Sequence, residues 1–480
     1  MRALHELTAL ELSQAIHRKQ VSCQEVMRCA LERIHAENAA YNAIVQLASE
    51  EAVMQQAREH DVLLATGTSK GWLHGIPVAI KDLAHATGFV TTSGSRVQRT
   101  FMPTQDSLHV ARMKAAGAIV IGKTNTPEFG LGSNTFNAVY GSTGNAWDPS
   151  RTSGGSSGGA AVALARRMLW VADGSDFMGS LRNPAAWNHV FGMRPSQGRV
   201  PGWPKPDVWI SQLGTDGPMA RHVRDVARLL DVQAGFDPRA ALSLDSESQS
   251  FVPPESTSVK GLRVGWLGDL QGHLAMEDGI LSVCESALST LQRAGAHVEP
   301  ASLGMDAALI WEAWLVWRQA LVASNINAIL AQPGARELTK AEALWEVDRA
   351  QTLKFETFLQ ASATRSDYLQ HLLKLFERFD VLALPSAQVW PFARDLDWPR
   401  SIGSRHMDTY HRWMEVTLYA TFGGLPALSV PAGFDAQQRW PMGLQLIGPP
   451  RSDRQLLRVG AAYEDLIAEL MSRKPPPTPA

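Results

Sequence analysis

Apolar positions recur at helical spacing in two early segments, each opened by a Ser/Thr-x-x-Glu box: Thr8 with Glu11, and Ser22 with Glu25. In the second, Val26, Cys29, Ala30 and Ile34 mark one buried stripe. The period then changes. IPVAI (76–80) and AIVIG (118–122) are short apolar runs rich in β-branched residues, and the stretch from Ser107 to Ala116 between them reads as a helix. The alternation returns in LRVGWL (262–267), a helix near 277–294 and HVEPASL (297–303). DVLALPS (380–386) and PALSVPAG (426–433) read as further buried strands, so one large α/β sheet is predicted. Residues 305–420 are mostly helical in pattern, hold seven of the 15 Trp residues and are expected to cap the edge or mouth of that sheet. The proline-rich tail from Lys474 can continue neither helix nor strand and is expected to fray.

Composition adds exclusions. With 480 residues, 45% of them hydrophobic and 19% charged, the chain has ample apolar surface for a large core. Disorder, collagen-like repetition and solenoid repeats do not fit this balance or the lack of a recurring period. Lys and Arg number 45 against 47 Asp and Glu, so no basic field favours nucleic acid or an anionic membrane. Cys23, Cys29 and Cys284 are too few and too scattered for a disulfide framework or a thiolate zinc site. The first residues break their apolar positions with charges, unlike a signal peptide or a membrane span. A cytoplasmic location is expected.

Candidate chemistry concentrates in GSTGNAWDPSRTSGGSSGGA (141–160), where six Gly and five Ser fill 20 positions. A flexible linker is the bland reading, but strand and helix patterns flank the run closely. Glycines ahead of a helix suggest close backbone approach to a ligand. Gly154 to Gly158 also satisfies the G-x-S-x-G elbow of α/β-hydrolases, with Ser156 as nucleophile, yet 147–152 is not the buried strand that elbow needs. A second serine, Ser180, sits in ADGSDFMGSLRNPA (172–185), and Lys81 ends the apolar run GIPVAIKD. Only 11 of the 45 basic residues are Lys, so a Lys after an apolar run is informative: unlike Arg, a desolvated Lys can lose its proton and act as a base. The alternative for an isolated Lys is a strand-end charge reaching solvent.

GIPVAIKD, GKTNTPEFG (122–130), SGGSSGGAAVALA (153–165), GSDFMGSLRNPA and GLPALSVPAGF (424–434) together resemble the amidase signature family. The separations agree with that family's Ser-Ser-Lys triad: 75 residues from Lys81 to Ser156 and 24 from Ser156 to Ser180. The likeness runs from the paired N-terminal helices to PMGLQLIGPP (441–450) and is most specific across 71–201. It implies a single domain over 1–480 with an α/β/α architecture, a large mixed central sheet and a helical cap region. It also implies Ser180 as nucleophile, Ser156 as a bridging serine whose own peptide bond is cis, and Lys81 as the base. Backbone N–H groups of Phe177, Met178, Gly179 and Ser180 would hold the oxyanion, with Ser157, Asp176 and Arg182 in support. The implied activity is hydrolysis of non-peptide amides through an acyl-enzyme, with carbamates and esters open to the same triad. No cofactor or metal is implied. The expected partner is a small-molecule amide or carbamate, with neither nucleic acid nor membrane, and a homodimer is left open.

One departure stands out. Where the family has a small residue and Gly-Gly before the nucleophile, this chain has Phe177 and Met178 ahead of Gly179. If the family's first glycine takes φ > 0, Met178 would be strained there by about 1–3 kcal/mol. The departure opens one rival, an inactive binding scaffold, and with the Trp-rich 305–420 region counts against another, the A subunit of a tRNA-dependent amidotransferase. Asp176 and Arg182 are expected to pair and brace the loop, and Ser157 either hydrogen-bonds within the site or caps the following helix. His189 is expected to be structural, and Asn125 and Glu128 to shape a turn. Trp311, Trp314 and Trp317, with Trp345, Trp390, Trp398 and Trp413, are expected mainly to pack, some of them lining an aromatic mouth.

Overall fold

The computed structural model describes residues 2–478. Both N-terminal boxes close as read: Thr8 and Ser22 each accept from the backbone N–H three residues on, and Glu11 and Glu25 return the bond. The helices they open, Ala9–His17 and Cys23–Tyr41, bury Leu12, Ile16, Val26, Ala30 and Ile34. Cys29, expected in that stripe, is only partly buried, and Met27 takes the inward place.

The large mixed sheet has eight strands in the spatial order His297–Pro300, Arg263–Trp266, Val381–Pro385, Pro441–Ile447, Ala427–Phe434, Phe191–Arg194, Thr215–Ala220 and Val171–Asp176. Its first three strands run parallel and every later pairing is antiparallel. The expectation of one sheet is corrected here. Pro77–Lys81 and Ile119–Thr124 pair in parallel across the helix Leu108–Ala115, as the alternation implied, but they form a separate three-stranded sheet with Ile44–Leu47. Where the two sheets meet, the backbone N–H of Lys81 donates to the Asp173 carboxylate, 3.0 Å away, rather than to a ladder partner.

The helix Gly158–Ala165 lies wholly buried between them. Its glycines answer to protein rather than to a ligand, a second correction: a Cβ on Gly159 would stand 2.4 Å from Ala43 O and Asn125 N. Long helices Ala307–Leu330 and Phe355–Arg378, with Ala341–Ala350, pack on one another, and the first of them brings Val322 and Ile326 to the active-site cavity. After them the chain re-enters the sheet at Val381 and returns to short helices from Arg412, so 305–420 is mostly helical with one strand of the large sheet inside it. The tail is not frayed over its described part: Pro476 O accepts from Arg166 at 2.7 Å and Thr478 reaches Glu37. Residues 479 and 480 lie outside the described residues. Among the described residues no helix is long and apolar enough to cross a membrane.

Candidate active site

The three triad positions come from three places. Lys81 ends a strand of the small sheet, Ser156 precedes the buried helix Gly158–Ala165, and Ser180 follows the edge strand Val171–Asp176 of the large sheet. All three face one cavity of about 370 Å³. Lys81 is 1% exposed; its Nζ lies 2.8 Å from Ser156 Oγ, 2.8 Å from Ser157 Oγ and 3.0 Å from Ser175 Oγ. Burial brings its pKa down to about 7, against the upward pull of Asp173, Asp216 and Asp176. A free amine can thus exist at neutral pH, ringed by hydroxyls that trade protons with it. The Gly155–Ser156 peptide bond is cis. Ser157 spends its hydroxyl on Lys81 and Ser175 and makes no helix cap. Ser180, 5% exposed, opens onto the cavity, but its Oγ forms no hydrogen bond with Ser156, so the second link of the relay is not closed.

The turn before Ser180 is set by Asp176. Its carboxylate accepts from Gly179 N at 2.8 Å and Leu181 N at 3.1 Å, and is gripped by Arg182 at 2.9 and 3.0 Å. Burial pushes this carboxyl up, but Arg182 and Arg194 outweigh it and hold it at about 2. Gly179 N–H is therefore occupied, which removes it from the expected donor set of Phe177, Met178, Gly179 and Ser180. Strain does not fall on Met178. The left-handed residue of the turn is Gly179, at φ +86°, where a Cβ would stand 2.6 Å from Thr417. The one remaining glycine occupies the position that needs it.

His189 is far from this chemistry, donating to Leu470 O (3.1 Å) between Trp147 and Phe434, with burial lowering its pKa to about 4. Asn125 ties the turn to Thr143 and Asn137, and Glu128 accepts from Lys340 N in the helical layer. The Trp expectation divides. Trp311, Trp314 and Trp317 are buried against His411, Phe422 and Phe358, and none of the seven Trp residues of 305–420 lines the cavity. The same helix instead turns Val322, Ile326 and Ile329 to the cavity, and its aromatic lining is Phe101, Phe129, Phe177 and Trp203. Trp314 contributes indirectly, its ring 5.7 Å from that of Phe177.

Sequence reasoning missed Ser175, Asp173 and Arg194. A period-two reading of 171–176 would have placed Asp173 and Ser175 on one face beside Lys81. Among the described residues no group of three His, Cys, Asp or Glu side chains could hold a metal ion.

The family model described as Amidase matches residues 25–457. The A subunit of the glutamyl-tRNA(Gln) amidotransferase of Thermosynechococcus vestitus is 33% identical, covering 95% of this chain and 96% of that protein. Its counterpart in Moorella thermoacetica is also 33% identical, over 98% and 99%. Among solved structures, a bacterial aryl acylamidase superposes with a TM-score of 0.90 at 27% identity, covering 96% of both chains. The A subunit of the Thermotoga maritima glutamyl-tRNA(Gln) amidotransferase does so at 0.75 and 26%, over 97% and 96%. A buried lysine of lowered pKa beside two serines, inside a chain matched over nearly its whole length, leads to one conclusion: this protein belongs to the amidase signature family and is a hydrolase acting on amides.

Proposed function

We propose that the enzyme hydrolyses neutral aryl or acyl amides through an acyl-Ser180 intermediate, with carbamates and esters as further substrates. Neutral Lys81 takes the Ser156 proton while Ser156 Oγ takes that of Ser180, and Ser180 Oγ adds to the amide carbon. The resulting oxyanion meets the free N–H groups of the 177–180 turn. As the C–N bond breaks, the proton returns along the same path to the departing amine. Water then adds to the acyl carbon by the same base, and the acid leaves.

The observation that carries the substrate class is the cavity wall. Phe129, Phe177, Met178, Val322, Ile326 and Met414 make it apolar on the helical side. The cation that the helix Ala307–Leu330 brings to this wall, Arg318, is already paired with Glu346 and Tyr410 and is 2% exposed, while Lys205 lines the cavity from another segment. A glutamine substrate carries a free ammonium and carboxylate, each of which needs an unspent partner, whereas a flat neutral ring needs contact area. The likeness to the aryl acylamidase supports the same reading.

A second reading, the A subunit of an amidotransferase, is favoured by the 33% identity of the curated relatives. One experiment separates them: the lone chain is given a matched panel of p-nitroanilides, aryl carbamates, glutamine and asparagine. Faster turnover of the aryl substrates is expected. A clear preference for glutamine overturns the proposal in favour of the second reading. A serine-directed fluorophosphonate should label Ser180, with labelling lost in Ser180→Ala; label on Ser156 overturns the assigned nucleophile.

A further inference from the structure

Beside Lys81 lies a charged cluster that the mechanism has not used. His109, second residue of the helix Leu108–Ala115, is 2% exposed and opens on the active-site cavity. Its Nε2 is 3.2 Å from Asp173 Oδ2 and its Nδ1 is 3.5 Å from Asp216 Oδ2. Asp173 is the residue whose other oxygen accepts from the Lys81 backbone N–H, and Asp216 sits directly across the ladder from Ser175, which touches Lys81 Nζ. Both carboxylates offer acceptors only, so a neutral imidazole donating through Nε2 to Asp173 would turn its Nδ1 lone pair toward the Asp216 anion, whereas an imidazolium donates to Asp173 and faces Asp216 with a positive Nδ1–H that attracts it without closing a hydrogen bond. Burial pulls the His109 pKa down, but Asp216 and Asp173 outweigh it and hold it above the ordinary value.

We propose that His109 is a positioning residue of the catalytic base: as an imidazolium clamped between Asp173 and Asp216, it offsets the carboxylates beside Lys81 and fixes the one that holds the Lys81 backbone. This rests on Lys81 being the general base. The charge count supports it. Of the three carboxylates whose fields reach Lys81, Asp176 is matched by Arg182 and Arg194. Asp82, next in sequence to Lys81, faces Lys123 at 3.7 Å, and Lys123 also feels Asp173 from its own strand. His85 opens on the same cavity as a neutral ring, its pKa lowered by burial. That leaves His109 as the cation in contact with both Asp173 and Asp216. Without it, two carboxylates would favour the ammonium form of Lys81, which cannot accept a proton.

The test is kcat/KM against pH on an aryl amide for the wild type, His109→Gln, Asp216→Asn and the double variant. Loss of the cation should move the ascending limb to higher pH by about one unit, so that the rate below the limb falls about tenfold yet lies within about threefold of wild type on the alkaline plateau. Asp216→Asn should move the limb the other way, and the double variant should return toward wild type. A uniform loss of rate at every pH in His109→Gln, or a limb that stays in place, overturns the proposal. Melting curves check folding; if His109→Gln does not fold, the direction of the Asp216→Asn shift decides. A limb that persists in the residual activity of Lys81→Ala overturns the base assignment and this proposal with it. A limb lost in Lys81→Ala yet unmoved in His109→Gln overturns this proposal alone.

Discussion

Gly179→Ala tests the catalytic turn at its tightest point. The residue sits at φ +86°, where an alanine is disfavoured by about 1–2 kcal/mol. Its new Cβ would meet Thr417 Cβ, Cγ2 and Oγ1, each at 2.6 Å. Rotating the threonine cannot relieve this, because its own Cβ is among the contacts and the residue is fully buried. Ordinary carbon contacts need about 3.5 Å, so the turn must shift by about 1 Å. Gly179 N–H is anchored on Asp176 and its neighbours are the proposed oxyanion donors, so the shift misplaces both. A displacement of that size costs about 10²-fold in rate, and loss of one oxyanion donor about 10²–10³-fold. The expected result is a kcat about 10²–10³-fold lower at nearly unchanged KM, in a protein that still melts cooperatively. Adding Thr417→Gly clears the contact while leaving the backbone strain, and should restore at least about tenfold. A single variant retaining kcat within about threefold of wild type refutes the reasoning.

Four further outcomes follow from the same geometry. With the Lys81 pKa at about 7, kcat/KM should climb about tenfold per pH unit below that value and level off above it. Lys81→Arg should be inactive at every pH, since a guanidinium does not deprotonate; activity in that variant refutes the base. Lys81→Met should be inactive yet melt above the wild type at pH 6. The depressed lysine pKa penalises the folded wild type fully below about 7, and this fades as pH rises toward the ordinary 10.5, so the margin should shrink over that window. A margin that grows with pH contradicts the sign. Arg182→Met breaks a wholly buried pair with Asp176 and should cost roughly 3–5 kcal/mol by urea denaturation, with kcat falling as the turn loosens. A loss below about 1 kcal/mol sinks the bracing role.

Local signals in the sequence reach far. Capping boxes, β-branched runs and a lysine in an arginine-rich chain locate two helices, six strands and a buried Lys81 beside Ser156. What they leave out has physical reasons. The strands Val171–Asp176, Phe191–Arg194 and Thr215–Ala220 interrupt their apolar runs with Asp, Gly, Arg and Pro because they carry the site, so periodicity passes over them. The separation into two sheets is a matter of long-range pairing, and where they meet Lys81 bonds to a carboxylate 92 residues distant in sequence. The Trp stripe at 311, 314 and 317 is legible as a buried face, but which neighbour it faces is not: spacing alone does not distinguish a core from a cavity wall. Gly179 N–H can be read as a donor, whereas its capture by Asp176 is visible only in three dimensions.

Lys81 and the strand that leads into the Ser180 turn belong to different hydrogen-bonded sheets, joined at this point by a carboxylate rather than by a ladder. Turnover is therefore a more sensitive gauge of tertiary docking than any backbone spectrum. Under graded denaturant the seam can loosen while each sheet keeps its own ladder, and inactivation should precede the loss of far-ultraviolet ellipticity. For anyone seeking a sturdier catalyst, reinforcing the contact between those two layers offers more than deepening the core of either.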